Sequence, residues 1–103
     1  MSQWAVEFHR AALAEARAAR EWYAERSDEA ATAFMAEFDR AVEQAATHPH
    51  RWARYIHKTQ IILFRRFSYL LVYRVIDQKV FVVAVAHSSR RPGYWASRQS
   101  KKH

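Results

Sequence analysis

The sequence contains no cysteine, which excludes a disulfide scaffold, a thiolate metal site and a cysteine nucleophile. It has one glycine, Gly93, too few for a glycine-rich phosphate loop of the P-loop or Rossmann kind. No serine sits in a nucleophile-elbow sequence, so serine-hydrolase chemistry is not indicated. Long apolar runs are missing too. The longest, Val80 to Ala86 and Tyr69 to Tyr73, fall far short of the roughly 20 residues a membrane span needs. Residues 1–20 carry Glu7 and Glu15 and no extended apolar core, so they do not read as a secretory leader. A soluble, cytoplasmic chain without membrane contact is expected.

Acidic residues are almost absent from the second half. Residues 51–103 hold twelve basic side chains and one acidic one, Asp77, a net +11. Residues 1–50 hold five basic and nine acidic side chains, a net −4. The whole chain has 103 residues and a net charge of +7, with 50% apolar and 26% charged residues. That length and balance describe one globular domain. The charge asymmetry points to a surface that meets a polyanion or an acidic partner.

Gln3 to Phe8 alternates, with Trp4, Val6 and Phe8 on one side, as a half-buried strand does. Arg10 to Arg26 is rich in Ala, Glu and Arg and predicts a helix with Leu13, Ala16, Ala19 or Arg20, and Tyr23 on its inner face. Ser27 is a natural N-cap for a second helix, and Asp28 and Glu29 suit that helix's positive end. Phe34, Phe38, Val42 and Ala45 form its apolar stripe. Pro49 disfavours helix at His48, so the helix should end near Thr47. Residues 48–60 read as a loop. Three strand-like runs follow, Ile61 to Arg65, Tyr69 to Ile76 and Val80 to His87, joined by links short enough for hairpins. The order β-α-α-β-β-β predicts a two-layer α+β sandwich with an antiparallel three-strand meander. The domain should cover residues 1–95, and residues 96–103 should form a basic tail whose end, Lys101 to His103, frays.

Three segments carry a family resemblance. Residues 8–49, "FHRAALAEARAAREWYAERSDEAATAFMAEFDRAVEQAATHP", look like a helix hairpin of the plasmid-stabilisation type. Residues 63–75 read "LFRRFSYLLVYRV", and residues 82–95 read "VVAVAHSSRRPGYW", with a His-x-x-Arg-Arg-x-x-Tyr-Trp ending. Together they resemble the RelE/ParE superfamily of toxins from type II toxin–antitoxin modules. The resemblance implies the fold just described and a small, acidic antitoxin partner, with no cofactor. It also implies one of two activities. ParE-like members inhibit a protein target, DNA gyrase, by binding; RelE-like members cut mRNA on the ribosome.

Metal-free RNA cleavage needs a base for the 2′-hydroxyl, an acid for the leaving oxygen and cations for the phosphate. The cleaving relatives place a basic residue after the tyrosine of the "Tyr-x-x-Val-Tyr" strand, where this chain has Leu70, and an arginine past the last strand, near Ser88. The candidates that remain for such chemistry are His87, Tyr94, Arg65 and Arg90. The resemblance therefore favours the ParE-like activity. Arginine forks match carboxylate and phosphate geometry. Contacts to antitoxin or target are accordingly expected from Arg65, Arg66, Arg74, His87, Arg90, Arg91, Tyr94 and Trp95; if Arg65 and Arg66 alternate across the strand, only one of them can face the groove. Tyr94 and Trp95 are also expected to pack at the sheet edge. His48, His50, His57 and His87 suit zinc by type, yet no carboxylate clusters with them. A basic nucleic-acid-binding domain is a further reading, although its helices would lie in the acidic half, the wrong sign for entering a groove.

Overall fold

The computed structural model describes residues 3–98 of the chain. The order is β1 (Ala5–Phe8), α1 (Arg10–Ala24), α2 (Asp28–Thr47), β2 (Ala53–Tyr55), β3 (Thr59–Leu63), β4 (Tyr69–Ile76) and β5 (Lys79–His87). One five-stranded sheet results, in the spatial order β1-β5-β4-β3-β2. β2 to β5 form an antiparallel meander, and β1 joins β5 in parallel. The predicted α+β sandwich is present with one strand more than expected. β2 lies inside the stretch read as a loop, and β3 starts and ends two residues earlier than its predicted run. The fraying expected at Lys101 to His103 lies outside the described residues. No helix among the described residues is long and apolar enough to cross a membrane.

Both helices begin as their caps dictate. The His9 side chain accepts from the Ala11 N–H, and Ser27 Oγ accepts from the Ala30 N–H at 3.1 Å. α2 ends at Thr47, just before Pro49. The inner stripe of α1 is Ala12, Ala16 and Ala19, and Leu13 is 40% exposed. Of the expected face, Ala16, Ala19 and Tyr23 turn inward, and Ala12 takes the place of Leu13. The small side chains face inward because they let α1 approach both α2 and β5 closely.

Phe34 of α2 centres the inner core. The rings of Tyr23, Phe64, Phe67 and Tyr69 surround it with centroids 5.1–5.6 Å away. Tyr73 sends its hydroxyl to the Pro49 carbonyl at 2.7 Å, and the Trp52 indole donates to the Gln44 carbonyl at 3.1 Å. These two bonds pin the chain leaving α2 to the sheet. Burial raises the Tyr73 hydroxyl above its ordinary pKa, so it stays a donor.

A second cluster covers the opposite face. Val72, Phe81, Val83, Ala84 and Trp95 are buried there, with Tyr55, Ile61, Leu70, Ile76 and Tyr94 packed around them. Its cover is the segment after β5, which folds back across the sheet and inserts Trp95, only 1% exposed. Gly93 makes that return possible. Its φ is +86°, and a Cβ there would stand 3.1 Å from His57 Nε2. A bulge in β5 opposite Val72 and Tyr73 inserts one extra residue, Val83. It places Val83 and Ala84 on the outer face and Val85 back on the inner one.

Candidate functional site

β1 accompanies β5 only as far as the Phe8–Val82 pair, whereas β5 continues to His87. Among the described residues, then, β5 has no strand on that side beyond Val82. α1 passes beside the gap and leaves a groove of about 460 Å³. Its floor is Ala18, Ala19, Tyr23, Tyr69 and Val85; Trp22, His87, Ser89 and Arg90 form its rim.

Glu15 organises one wall. Its carboxylate accepts from the Val85 N–H at 2.9 Å and from the Tyr94 hydroxyl at 2.7 Å, and pairs with Arg98 at 3.0 Å. The Glu15 and Arg98 side chains are each 18% exposed, so water screens this pair less than a surface pair. Burial, reinforced by the bond to Glu15, raises Tyr94 above its ordinary pKa. Arg90 lies flat over Tyr94, 3.9 Å from the ring centroid. At the far end of the groove, Arg26 stacks 3.6 Å above Trp22, a side chain 52% exposed.

His87 stands edge-on to Tyr69 with centroids 5.0 Å apart. Its Nδ1 accepts the Ser89 N–H at 3.0 Å and lies 2.8 Å from Ser89 Oγ. The backbone bond assigns the ring proton of a neutral imidazole to Nε2. The fold brings His87, Arg90 and Tyr94 to one corner, where a crevice of about 30 Å³ also touches Leu70 and Ser88.

The other nominated residues lie elsewhere. Arg65 and Arg66 do not alternate across a strand. Both are exposed in the β3–β4 turn, because β3 ends at Leu63. That turn is tied to α2 by the Arg65 N–H, which donates to Glu37 Oε1 at 2.9 Å. This bond, aided by Arg40, holds the Glu37 carboxyl below the usual carboxylate range. Arg74 is half-buried on the outer face, paired in register with Phe81. Arg91 is exposed at the start of the returning segment. Trp95 is buried and packs the outer cluster, so it offers no surface to a partner in this fold. Leu70 packs against that same cluster, and Ser88 sits in a turn with its N–H on the Ser68 carbonyl.

Among the described residues, no group of three or more His, Cys, Asp or Glu side chains is placed to hold a metal ion. His50 and His57 instead meet Trp4 and Trp95 edge-on, at 5.3 and 5.7 Å.

Sequence reasoning missed Glu15, Trp22, Arg26 and Arg98. Glu15 carried a signal: it falls three residues after Ala12 and four before Ala19, so it adjoins the inward stripe. A carboxylate there has to find donors.

The fold and the corner at His87 define a class of small α+β proteins. Among solved structures, a chain described as "Chromosomal ParDE TA system from P. aeruginosa" superposes with a TM-score of 0.72 at 14% identity, over 82% of this chain and 95% of that one. At that identity the likeness shows the fold alone. No curated protein matches the sequence. A family model described as "ParE toxin of type II toxin-antitoxin system, parDE" matches residues 6–92. The chain belongs to this family of ParE toxins.

Proposed function

We propose that the chain is a toxin that acts by occupying a protein target rather than by cutting nucleic acid, and that a cognate acidic antitoxin neutralises it. DNA gyrase is the target that the ParE-like resemblance suggests. The observation that carries this reading is what stands at the corner where RNA-cleaving relatives keep their cations. Leu70 is packed against the Trp95 cluster and Ser88 is held in a turn. Tyr94 is held protonated against Glu15, which leaves no free phenolate to act as a base. Arg65, Arg66, Arg90 and Arg91 are all exposed and suit carboxylate partners rather than a converging phosphate cage. An acidic antitoxin suits the basic second half and would be steered to it by charge.

The test is to induce the chain alone in a bacterial host and follow thymidine and methionine incorporation over the first minutes. DNA synthesis should stop first. Early arrest of protein synthesis would turn His87, Arg90 and Tyr94 into candidates for an active site. Continued synthesis of both, with folded protein present, would reject the toxin reading.

A further inference from the structure

β2 closes the sheet on the side away from β1, with β3 on one flank and, among the described residues, no strand on the other. The structure assigns to this edge a second surface, which holds the phosphate backbone of duplex nucleic acid without reading its sequence. This binding is independent of toxin action. Three observations carry it.

The first is charge. Residues 44–76 contain no aspartate or glutamate. Arg51, Arg54 and Lys58 fall within that stretch, and all three are exposed. Among the described residues, none of the three pairs with a carboxylate. Charge on an edge strand also repels stray strands. Yet only Arg54 stands in β2 itself; Arg51 precedes it and Lys58 follows it. Edge protection therefore leaves the other two cations unexplained.

The second is rigidity. β2 is three residues long, yet the segment around it is fastened by four side-chain bonds. The Tyr73 hydroxyl donates to the Pro49 carbonyl at 2.7 Å, and the Trp52 indole to the Gln44 carbonyl at 3.1 Å. Gln60 Nε2 donates to the Trp52 carbonyl at 3.0 Å, and Thr59 Oγ1 to the Ile56 carbonyl at 2.6 Å. Lys58 sits at a φ of +60°, a position that glycine or asparagine takes more easily. Cations carried on an ordered backbone lose less entropy when an anion arrives.

The third is what the strip lacks. Protein interfaces centre on apolar and aromatic anchors and keep charge to the rim. Here the order is inverted. Pro49 is buried and Trp52 half-buried, while the three cations stay in solvent. Ile56, 41% exposed, is too small a surface to anchor a protein. Unpaired bases would need free aromatic faces. The Trp52 ring instead carries Arg51, 5.2 Å from its centroid, and gives its N–H to α2. What the strip offers is guanidinium and ammonium donors along one edge, the contact that a phosphate backbone takes. β3 and β4 separate β2 from β5, so this strip is distinct from the corner at His87, Arg90 and Tyr94.

The experiment follows binding of a labelled, mixed-sequence DNA duplex of about 20 base pairs to the folded full chain by fluorescence anisotropy, over a salt series. Affinity should fall with salt and be indifferent to sequence. The triple variant Arg51→Gln, Arg54→Gln, Lys58→Gln should bind about thirtyfold more weakly at low salt, and the slope of log affinity against log salt should flatten by about 1 per cation removed. The triple variant Arg10→Gln, Arg17→Gln, Arg20→Gln removes the same charge from exposed positions of α1 and should cost about threefold or less. Should the strip variant fail to fold, Lys58→Asn suits the left-handed backbone and should flatten the slope by about 1 alone. Equal losses in the two triple variants would reduce the effect to net charge and overturn the inference. So would an unchanged slope in the strip variants, or a single strand bound more tightly than the duplex. Competition by poly-glutamate as strong as that by unlabelled duplex would overturn it too, by making the occupant an acidic protein. Growth arrest is scored separately. A chain that binds duplex at this strip and arrests no growth keeps the surface and rejects the toxin reading.

Discussion

The two faces of the sheet are covered in different ways. The inner face lies under two helices, thirty-five residues in all, whose alanine and phenylalanine stripes spread the contact over many positions. The outer face is closed by a short segment without regular secondary structure, anchored by one tryptophan and one carboxylate hub. A distributed cover tolerates the loss of any one alanine contact. A cover hung on two points does not, and the positions that hold it are those that set the corner at His87, Arg90 and Tyr94.

The largest expected effect tests that contrast directly. Trp95→Ala should cost about 3–5 kcal/mol, the range for a buried aromatic, measurable by urea unfolding. Trypsin should then cut after Arg90 and Arg98 well before it touches the helices, the bond after Arg91 being protected by Pro92. If cleavage begins in α1 or α2 instead, the outer cover is the sturdier of the two. Gly93→Ala should follow at about 1–2 kcal/mol, since it forces a side chain into left-handed backbone and against His57. Ser27→Ala should cost about 1 kcal/mol by removing the cap of α2, and should leave tryptic release of the outer segment unchanged.

Titration separates the faces further. The carboxyl of Glu37, on the helix side, has its pKa lowered in the fold, so its stabilisation is present above the ordinary value of 4.5 and is lost as pH falls through the depressed one. The phenol of Tyr94, in the outer segment, is raised from 10.0, so its stabilisation is present below that value and is lost at more alkaline pH. Acid unfolding should therefore weaken in dependence on pH in Glu37→Gln, and alkaline unfolding in Tyr94→Phe. The smallest effect belongs to Arg65 and Arg66. Replacing both with Ala should change stability by about 0.5 kcal/mol or less, because their side chains are exposed and the anchoring N–H remains.

The same contrast explains what could be read from the sequence. α1, α2 and β1 announce themselves by period, by the Ser27 cap and by Pro49, and β4 by its apolar run. β2 does not, because Ala53, Arg54 and Tyr55 are too few to show alternation. β5 is apolar at almost every position, so its strand character is legible and its phase is not. The arginine pairs were visible as charge, yet their separation into a turn at Arg65–Arg66 and a returning segment at Arg90–Arg91 depends on where β3 stops. Glu15 was hidden because its partners, Val85, Tyr94 and Arg98, lie 70 or more residues away in sequence.

The extra residue in β5 acts as a phase shifter. In an unbroken strand, Val83 facing outward would put Val85 and His87 outward as well, and Ala84 inward. The chain instead counts one residue twice on the outer face and emerges with Val85 turned to the helices. Its pairing with Tyr69 then sets His87 on the groove side. Deleting Val83 would restore an unbroken ladder and keep each later residue on its present face, because Val82 already pairs with Tyr73 and Ala84 with Val72; straightening the strand with Val83 retained would exchange the faces instead. The face that each residue beyond Val83 addresses is thus kept by one spare residue held out of the ladder.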